Sequence, residues 1–305
     1  MSRRAATARA NLANQKEVVT MTTHIVADDI LGTISRRMWE VQRRLLEGTL
    51  DPSGVARSLQ SIVEATEVTS RPLVTASPFF AEEEVQSNYG YPQGYAVKPV
   101  LEQLVELSKH FNGLNASSVL AYFKELPALP AGAEGWFAVP RWEKVASSYN
   151  EAVEKVLDLI DKTRTFHNYY KGALGPKYLR LSERTAVALQ MIGDKQKGDF
   201  LLIPAQFGLT HRGRSIRRVR VVYAPHEFGL GSFITGCMIL SHPERLVQQD
   251  RLHIDCPSDE YSPDADGDFS RAPTFRFYGG EVRFVVSLVC SADKLCGSAS
   301  GFVSQ

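Results

Sequence analysis

The chain has 305 residues, with 35 Lys and Arg against 34 Asp and Glu, a net charge of +1. Hydrophobic residues make up 44% and charged residues 23%, which excludes wholesale disorder and any collagen-like or mucin-like chain. No apolar run reaches the ~18–20 residues that a helical membrane span needs, and the balanced charge argues against a protein coated by nucleic acid over its whole surface.

The first sixteen residues hold Arg3, Arg4, Arg9 and Lys16 and no acid, the composition of a disordered basic tail or a transit peptide. Met21 follows Lys16-Glu17-Val18, whose codons can spell a bacterial ribosome-binding sequence at a workable distance. Residues 1–20 are therefore expected to be a disordered leader that precedes the true start. From Ala27 to Glu47 the apolar residues Ile30, Ile34, Met38, Val41 and Leu45 recur every three or four positions, one face of a helix. Gly48 stops it. Asp51-Pro52 supplies an N-cap and a first-turn proline for a second helix that turns Val55, Leu59, Ile62 and Val63 inward. Residues 21–65 are predicted to form a helical hairpin module. Arg36, Arg37, Arg43 and Arg44, with Ser53, Arg57, Gln60 and Ser61, suit phosphate or base-edge contacts of a helix-turn-helix element. An ordinary hairpin for packing, for a protein partner or for self-association explains the same pattern and is preferred.

Residues 66–96 lose this periodicity and collect Pro72, Pro78, Pro92, Gly90, Gly94 and the acid run Glu82–Glu84, which reads as a linker or a wrapped arm. Residues 97–194 read as mainly helical. The expected elements are Pro99–Phe111, Ser117–Leu126, a loop with Pro127, Pro130 and Pro140, a long helix over Arg141–Arg164, and a short one over Ser182–Ile192. From 195 to 305 the texture becomes that of an α+β domain. Phe200–Ile203 is a buried strand; Ile216–Tyr223 fits strand or helix; Gly231–Leu240 fits helix or buried strand. The clearest signal is a hairpin, Thr274–Tyr278 and Glu281–Val289 around Gly279-Gly280, pairing Phe277 with Val282 and Phe275 with Phe284. The predicted fold class is α+β.

Familiar enzyme motifs are missing. Gly229-Leu-Gly231 through Gly236 has the wrong spacing for a dinucleotide fingerprint and lacks the Lys-Ser/Thr of a P-loop; close packing of a short helix explains it better. Gly297-Ser-Ala-Ser-Gly301 has Ala where a nucleophile elbow needs Ser, and His226-Glu227 lacks the second His of a zincin helix. The four cysteines (Cys237, Cys256, Cys290, Cys296) are read as reduced thiols of a cytoplasmic protein. His253-x-x-Cys256 with Cys290 and Cys296 offers zinc-type ligands at an uncommon spacing, and buried, hydrophobe-like cysteines are the plainer reading.

Two charged clusters stand out. Asp264-Ala-Asp266-Gly-Asp268 resembles a calcium loop, although its sixth and twelfth positions hold Phe269 and Phe275; a solvated turn is the preferred alternative. The cation reading leaves a divalent ion as the one cofactor in view, with Asp264, Asp266 and Asp268 as ligands. Arg212, Arg214, Arg217, Arg218 and Arg220 crowd an acid-free stretch, and guanidinium forks suit phosphate. The hairpin register also sets Arg276 opposite Arg283, an unfavourable pair unless an anion lies near. Arg212, Arg214, Arg218, Arg220, Arg276 and Arg283 are therefore candidate anion-binding residues. The competing expectation, which is preferred for the Arg212–Arg220 cluster, is that these arginines are neutralised by the Asp264–Asp268 loop.

The run Trp39-Glu-Val-Gln-Arg-Arg-Leu-Leu-Glu-Gly48-Thr-Leu-Asp51-Pro52 with Leu59-Gln-Ser-Ile62 resembles the opening of many short hypothetical proteins of uncultivated, small-genome bacteria. His211-Arg-Gly-Arg, His226-Glu-Phe-Gly-Leu-Gly, Ser241-His-Pro-Glu-Arg and Asp264-Ala-Asp-Gly-Asp-Phe-Ser270 resemble the C-terminal part of such proteins. The resemblance implies a modular bacterial protein and carries over no catalytic or binding residue. The function expected from the residues is that of a binding or adaptor protein contacting nucleic acid or a phosphate ligand through C-terminal arginines. The competing expectation is a metal-dependent enzyme acting on a phosphate ester where those arginines, His226, Glu227 and the Asp loop converge.

Overall fold

The computed structural model describes residues 48–64, 77–123 and 126–304, together with Val41, Arg44 and Leu45. The chain divides into two compact units, Met1–Arg71 and Pro72–Gln305. In the first, the described residues follow the predicted stop and start. The Gly48 amide donates to the Leu45 carbonyl at 3.1 Å, with Gly48 in the left-handed region at φ 71°. Helix α1 (Pro52–Glu64) is capped by Asp51, whose carboxylate oxygens accept from the Ser53 and Gly54 amides at 3.1 and 2.8 Å. The leader 1–20, most of the first expected helix, residue 65 of the expected hairpin and residues 66–76 of the expected linker lie outside the described residues.

The second unit is α+β. Residues 77–97 run without helix or strand into α2 (Val100–His110) and α3 (Ser117–Phe123). There follow β1 (Gly135–Pro140), α4 (Trp142–Val145), α5 (Tyr149–Thr163), β2 (Phe166–Asn168), β3 (Leu179–Leu181), α6 (Glu183–Lys195) and β4 (Phe200–Gln206). Then come α7 (Ile216–Val222), β5 (Glu227–Gly229), α8 (Ser232–Ser241), β6 (His253–Asp255) and β7 (Asp259–Tyr261). β8 (Arg271–Tyr278), β9 (Glu281–Leu288), β10 (Cys296–Ser298) and β11 (Ser300–Phe302) complete it. Among the described residues no helix is long and apolar enough to cross a membrane.

One sheet runs β1-β4-β11-β5, all antiparallel. β1 pairs with β4 along its whole length, from Gly135 opposite Ala205 to Pro140 opposite Phe200. The division expected near residue 195 therefore does not separate two bodies: strands from either side of it form one sheet. The prolines around 127–140 had marked β1 as loop. Its apolar core Trp136–Val139 lies on an edge strand, where a terminal proline costs no ladder hydrogen bond.

The second sheet runs β10-β6-β8-β7-β3, with β9 also paired to β8 and β2 parallel to β9. The hairpin has the predicted register, with Phe275 opposite Phe284, Phe277 opposite Val282 and Arg276 opposite Arg283. Gly279 and Gly280 take φ 63° and 84°, as a two-residue turn matched to strand twist requires.

Two helical expectations resolve differently. The long helix over Arg141–Arg164 breaks at Ser147-Ser148. There Ser148 Oγ accepts from the Glu151 amide at 3.2 Å and Glu151 reaches back to the Ser147 amide, a capping arrangement that starts α5 afresh. The ambiguous segment after Ser215 is helical, with Ser215 Oγ accepting from the Arg218 amide at 3.0 Å. α8 is apolar all round and buried along its whole length, as a central helix must be. Its Gly236 lies against Val156 of α5, where a Cβ would approach to 3.0 Å.

Candidate functional site

Strand alternation builds a polar sheet face. Cys296 lies opposite His253 and Ser298 opposite Asp255; Asp255 lies opposite Thr274, and Ala272 opposite Ser287. Because every second residue shares a face, Cys296, His253, Asp255, Thr274, Arg276 and Ser287 emerge on one side. Ile254, Phe275, Phe277 and Phe284 emerge on the other and join the hydrophobic core.

Over the polar face opens a cavity of about 240 Å³ lined by Ile216, Asp255, Arg276, Ser287, Leu288, Ser291, Asp293 and Cys296. Asp255 is buried, and its Oδ1 accepts from Thr274 Oγ1 at 2.8 Å. Burial pushes its carboxyl up to about 6, against the opposing pull of the Thr274 hydroxyl and the Arg276 charge. Arg276 Nη2 donates to Ser287 Oγ at 3.1 Å and lies 3.7 Å from Asp293 Oδ2. Its Nε is buried and has no hydrogen-bond partner. Cys296 Sγ lies 3.5 Å from Asp293 Oδ2, and burial pushes the thiol well up, so it stays protonated. His253 is driven down to about 4 by burial and by Arg276, so its ring is neutral at physiological pH.

A larger cavity of about 320 Å³ lies between α6 and the end of β1, but its lining is mostly apolar. Its arginine, Arg141, is committed to the carbonyls of Gly193, Gln196 and Gly198. The smaller cavity carries the groups with chemistry.

The expected arginine cluster is dispersed. Arg212 donates to the Tyr89 carbonyl at 3.2 Å, and Arg220 to the carbonyls of Pro257 and Asp259 at 2.8 and 3.1 Å. Arg217 pairs with Glu83, while Arg214 and Arg218 pair with Glu84 at 3.2 and 2.5 Å. Arg218 also donates to the carbonyls of Ser77 and Phe79. The two facing arginines of the hairpin each find a carboxylate of their own: Asp293 for Arg276, and Glu281 for Arg283 at 2.8 Å.

The Asp264–Asp268 loop is thus not the partner of the Arg212–Arg220 cluster. The acids that clasp Arg214, Arg217 and Arg218 come from the Glu82–Glu84 run, in the segment read as linker. Asp266 accepts from Ser262 Oγ and the Asp268 amide, and Asp268 from Ser270 Oγ, the bonds of a self-contained turn. Among the described residues no group of three His, Cys, Asp or Glu is placed to hold a metal ion, Asp264, Asp266 and Asp268 included. Nor do His226, Glu227 and that loop converge. Glu227 is buried 2.7 Å from His211 Nε2 and accepts from Ser300 Oγ at 2.5 Å. Burial raises its carboxyl, but these bonds and the Ala224 amide together hold it low, in a network that ties β5 to β11.

The clasp has a testable consequence. Replacing Glu83 and Glu84 by Gln leaves the buried Arg218 without its carboxylate, a cost of about 1–3 kcal/mol. The melting temperature should fall by about 3–10 °C, and salt-sensitive retention on heparin should rise. The triple change of Asp264, Asp266 and Asp268 to Asn should leave both near wild type. Heparin retention rising in the Asp triple and not in the Glu pair would reverse the assignment.

Asp293 escaped the sequence reading, which weighed Cys296 only as a zinc-type ligand and Asp255 only as one acid of an acidic stretch; Arg276, in its facing pair, was the signal that led toward them. Comparison with protein-family models, with curated proteins and with solved structures finds no match.

Proposed function

We propose that the protein binds a small, hydrogen-bonding molecule in the cavity over β6, β8 and β10, and that Asp255 exchanges a proton with it. The observation that carries this reading is a buried carboxyl raised to about 6, opening onto a cavity beside a guanidinium Nε without a partner. A carboxyl tuned to that range serves as acid or base near neutral pH.

Charge narrows the ligand. Arg276 is matched by Asp293, so Asp255 sets the balance: neutral when protonated, negative when ionised. A multiply charged anion would meet that carboxylate. A molecule with hydroxyl or amine donors meets acceptors at Asp255 and Asp293, and an acceptor atom on it meets the free Nε of Arg276. This reading supports an acid–base site for a donor-bearing molecule, in place of the phosphate contact expected of Arg276 from sequence.

Calorimetric titration of the full-length protein tests it, using monosaccharides, small polyols, primary amines and inorganic phosphate. At least one donor-bearing compound should bind, and Asp255→Asn should weaken it by about tenfold, the effect of losing one hydrogen bond to a charged group. Equal binding to the variant, or binding of phosphate alone, would refute the reading.

A further inference from the structure

A second cavity, of about 270 Å³, lies between the end of α2, α4 and the outer face of α5. On α5, Lys155, Asp158, Leu159 and Lys162 stand at the three- and four-residue spacings that place side chains on one helix face. Lys144 of α4 completes a lining in which three lysines face a single carboxylate, Asp158. The rest of the wall is Phe111, Leu114, Val145 and Leu159, with the polar side chains of His110 and Asn112 among them.

The lysines are only partly engaged by the fold. Lys155 Nζ donates to the Val145 carbonyl at 2.6 Å, leaving two of its three N–H groups. Lys144 lies 3.5 Å from Asp199 Oδ1 and is more than half exposed. Lys162 is exposed, and no hydrogen bond or ion pair engages it. This is a concave site with a mainly apolar wall and a cationic rim, and it needs a ligand of matching halves.

We infer that this cavity binds a small organic anion, an apolar or aromatic body carrying a phosphate, sulfate or carboxylate group. The body lies against Phe111, Leu114 and Leu159, and the anionic group is held by Lys144, Lys155 and Lys162. The site is separate from the Asp255 cavity in residues and in sign: there a carboxylate repels anions, here three ammonium groups attract them.

Calorimetric titration of the full-length protein with phenyl phosphate tests this, with inorganic phosphate as the charged group alone and benzyl alcohol as the body alone. Phenyl phosphate should bind at least about tenfold more tightly than either, and its affinity should fall as sodium chloride is raised. Lys162→Glu should weaken it by about tenfold or more, and the milder pair Lys144→Gln with Lys162→Gln should do so in a chain with an unchanged melting temperature. Asp255→Asn should leave it unchanged. The inference is overturned if phenyl phosphate gives no saturable binding, if inorganic phosphate or benzyl alcohol binds as well, or if the lysine variants bind like wild type.

Discussion

Asp255→Asn should be more stable than wild type at pH 7.5, and the gap should narrow as the pH falls. The carboxyl is raised from its ordinary 3.8 to about 6 by burial, so the folded state prefers the protonated form. A carboxyl raised in this way contributes stability below about pH 4 that is lost as pH climbs through about 6. A displacement of about two units amounts to about 3 kcal/mol in all, roughly 2 of it between pH 4.5 and 7.5. Asparagine has no proton to lose and still offers an oxygen to Thr274. Urea unfolding of both proteins at pH 4.5 and 7.5 should show the advantage of Asn growing by about 2 kcal/mol. Glu134 and Asp259 are also raised by burial, so the wild-type profile alone mixes several groups; the difference between the proteins isolates Asp255. Parallel profiles would show that this carboxyl is not strained. A variant that gains stability at neutral pH while losing its ligand is the pattern of a group kept for function at the expense of the fold.

Asp259→Ala should cause the largest loss of stability. The side chain is buried, and its two oxygens accept from Tyr149 Oη at 2.6 Å and from the Ser232 amide at 2.7 Å. It therefore caps the first turn of α8, the helix at the centre of the core, and ties that helix to α5. Alanine leaves a phenol and a helix-end amide buried without partners, each costing about 1–3 kcal/mol. A loss of about 3–5 kcal/mol should lower the melting temperature by about 10 °C or more in a unit of this size. Asp259→Asn retains one acceptor and should lose about half as much. A fall below about 1 kcal/mol for the alanine variant would mean that the two donors find other partners.

Much of the backbone was legible because local chemistry specified it. Asp51-Pro52 announced a helix start, Gly279-Gly280 announced a turn, and the alternation on either side set a register that holds residue for residue. β1 was hidden because Pro140 and the prolines before it outweigh four apolar residues in any local reading. The ambiguity of Ile216–Val222 was real, since Ile216, Val219 and Val222 satisfy a helical face while the arginines between them suggest a strand. The site was harder still. Glu83 and Arg217 are 134 residues apart, and a pairing over such a distance leaves no mark in either segment. The dense acids of Asp264–Asp268 drew attention to a turn that bonds mainly to itself. Asp255 sits alone in His-Ile-Asp-Cys, and its altered titration arises only when β8 and β10 cover it.

The most direct test of the central claim is the titration of the Asp255 carboxyl itself, followed through its 13Cγ resonance from pH 3 to 9 and assigned by its absence in Asp255→Asn. The account predicts a midpoint at about 6 in the free protein, moving when a donor-bearing ligand enters the cavity. A midpoint near the ordinary 3.8, unmoved by any such ligand, would contradict it.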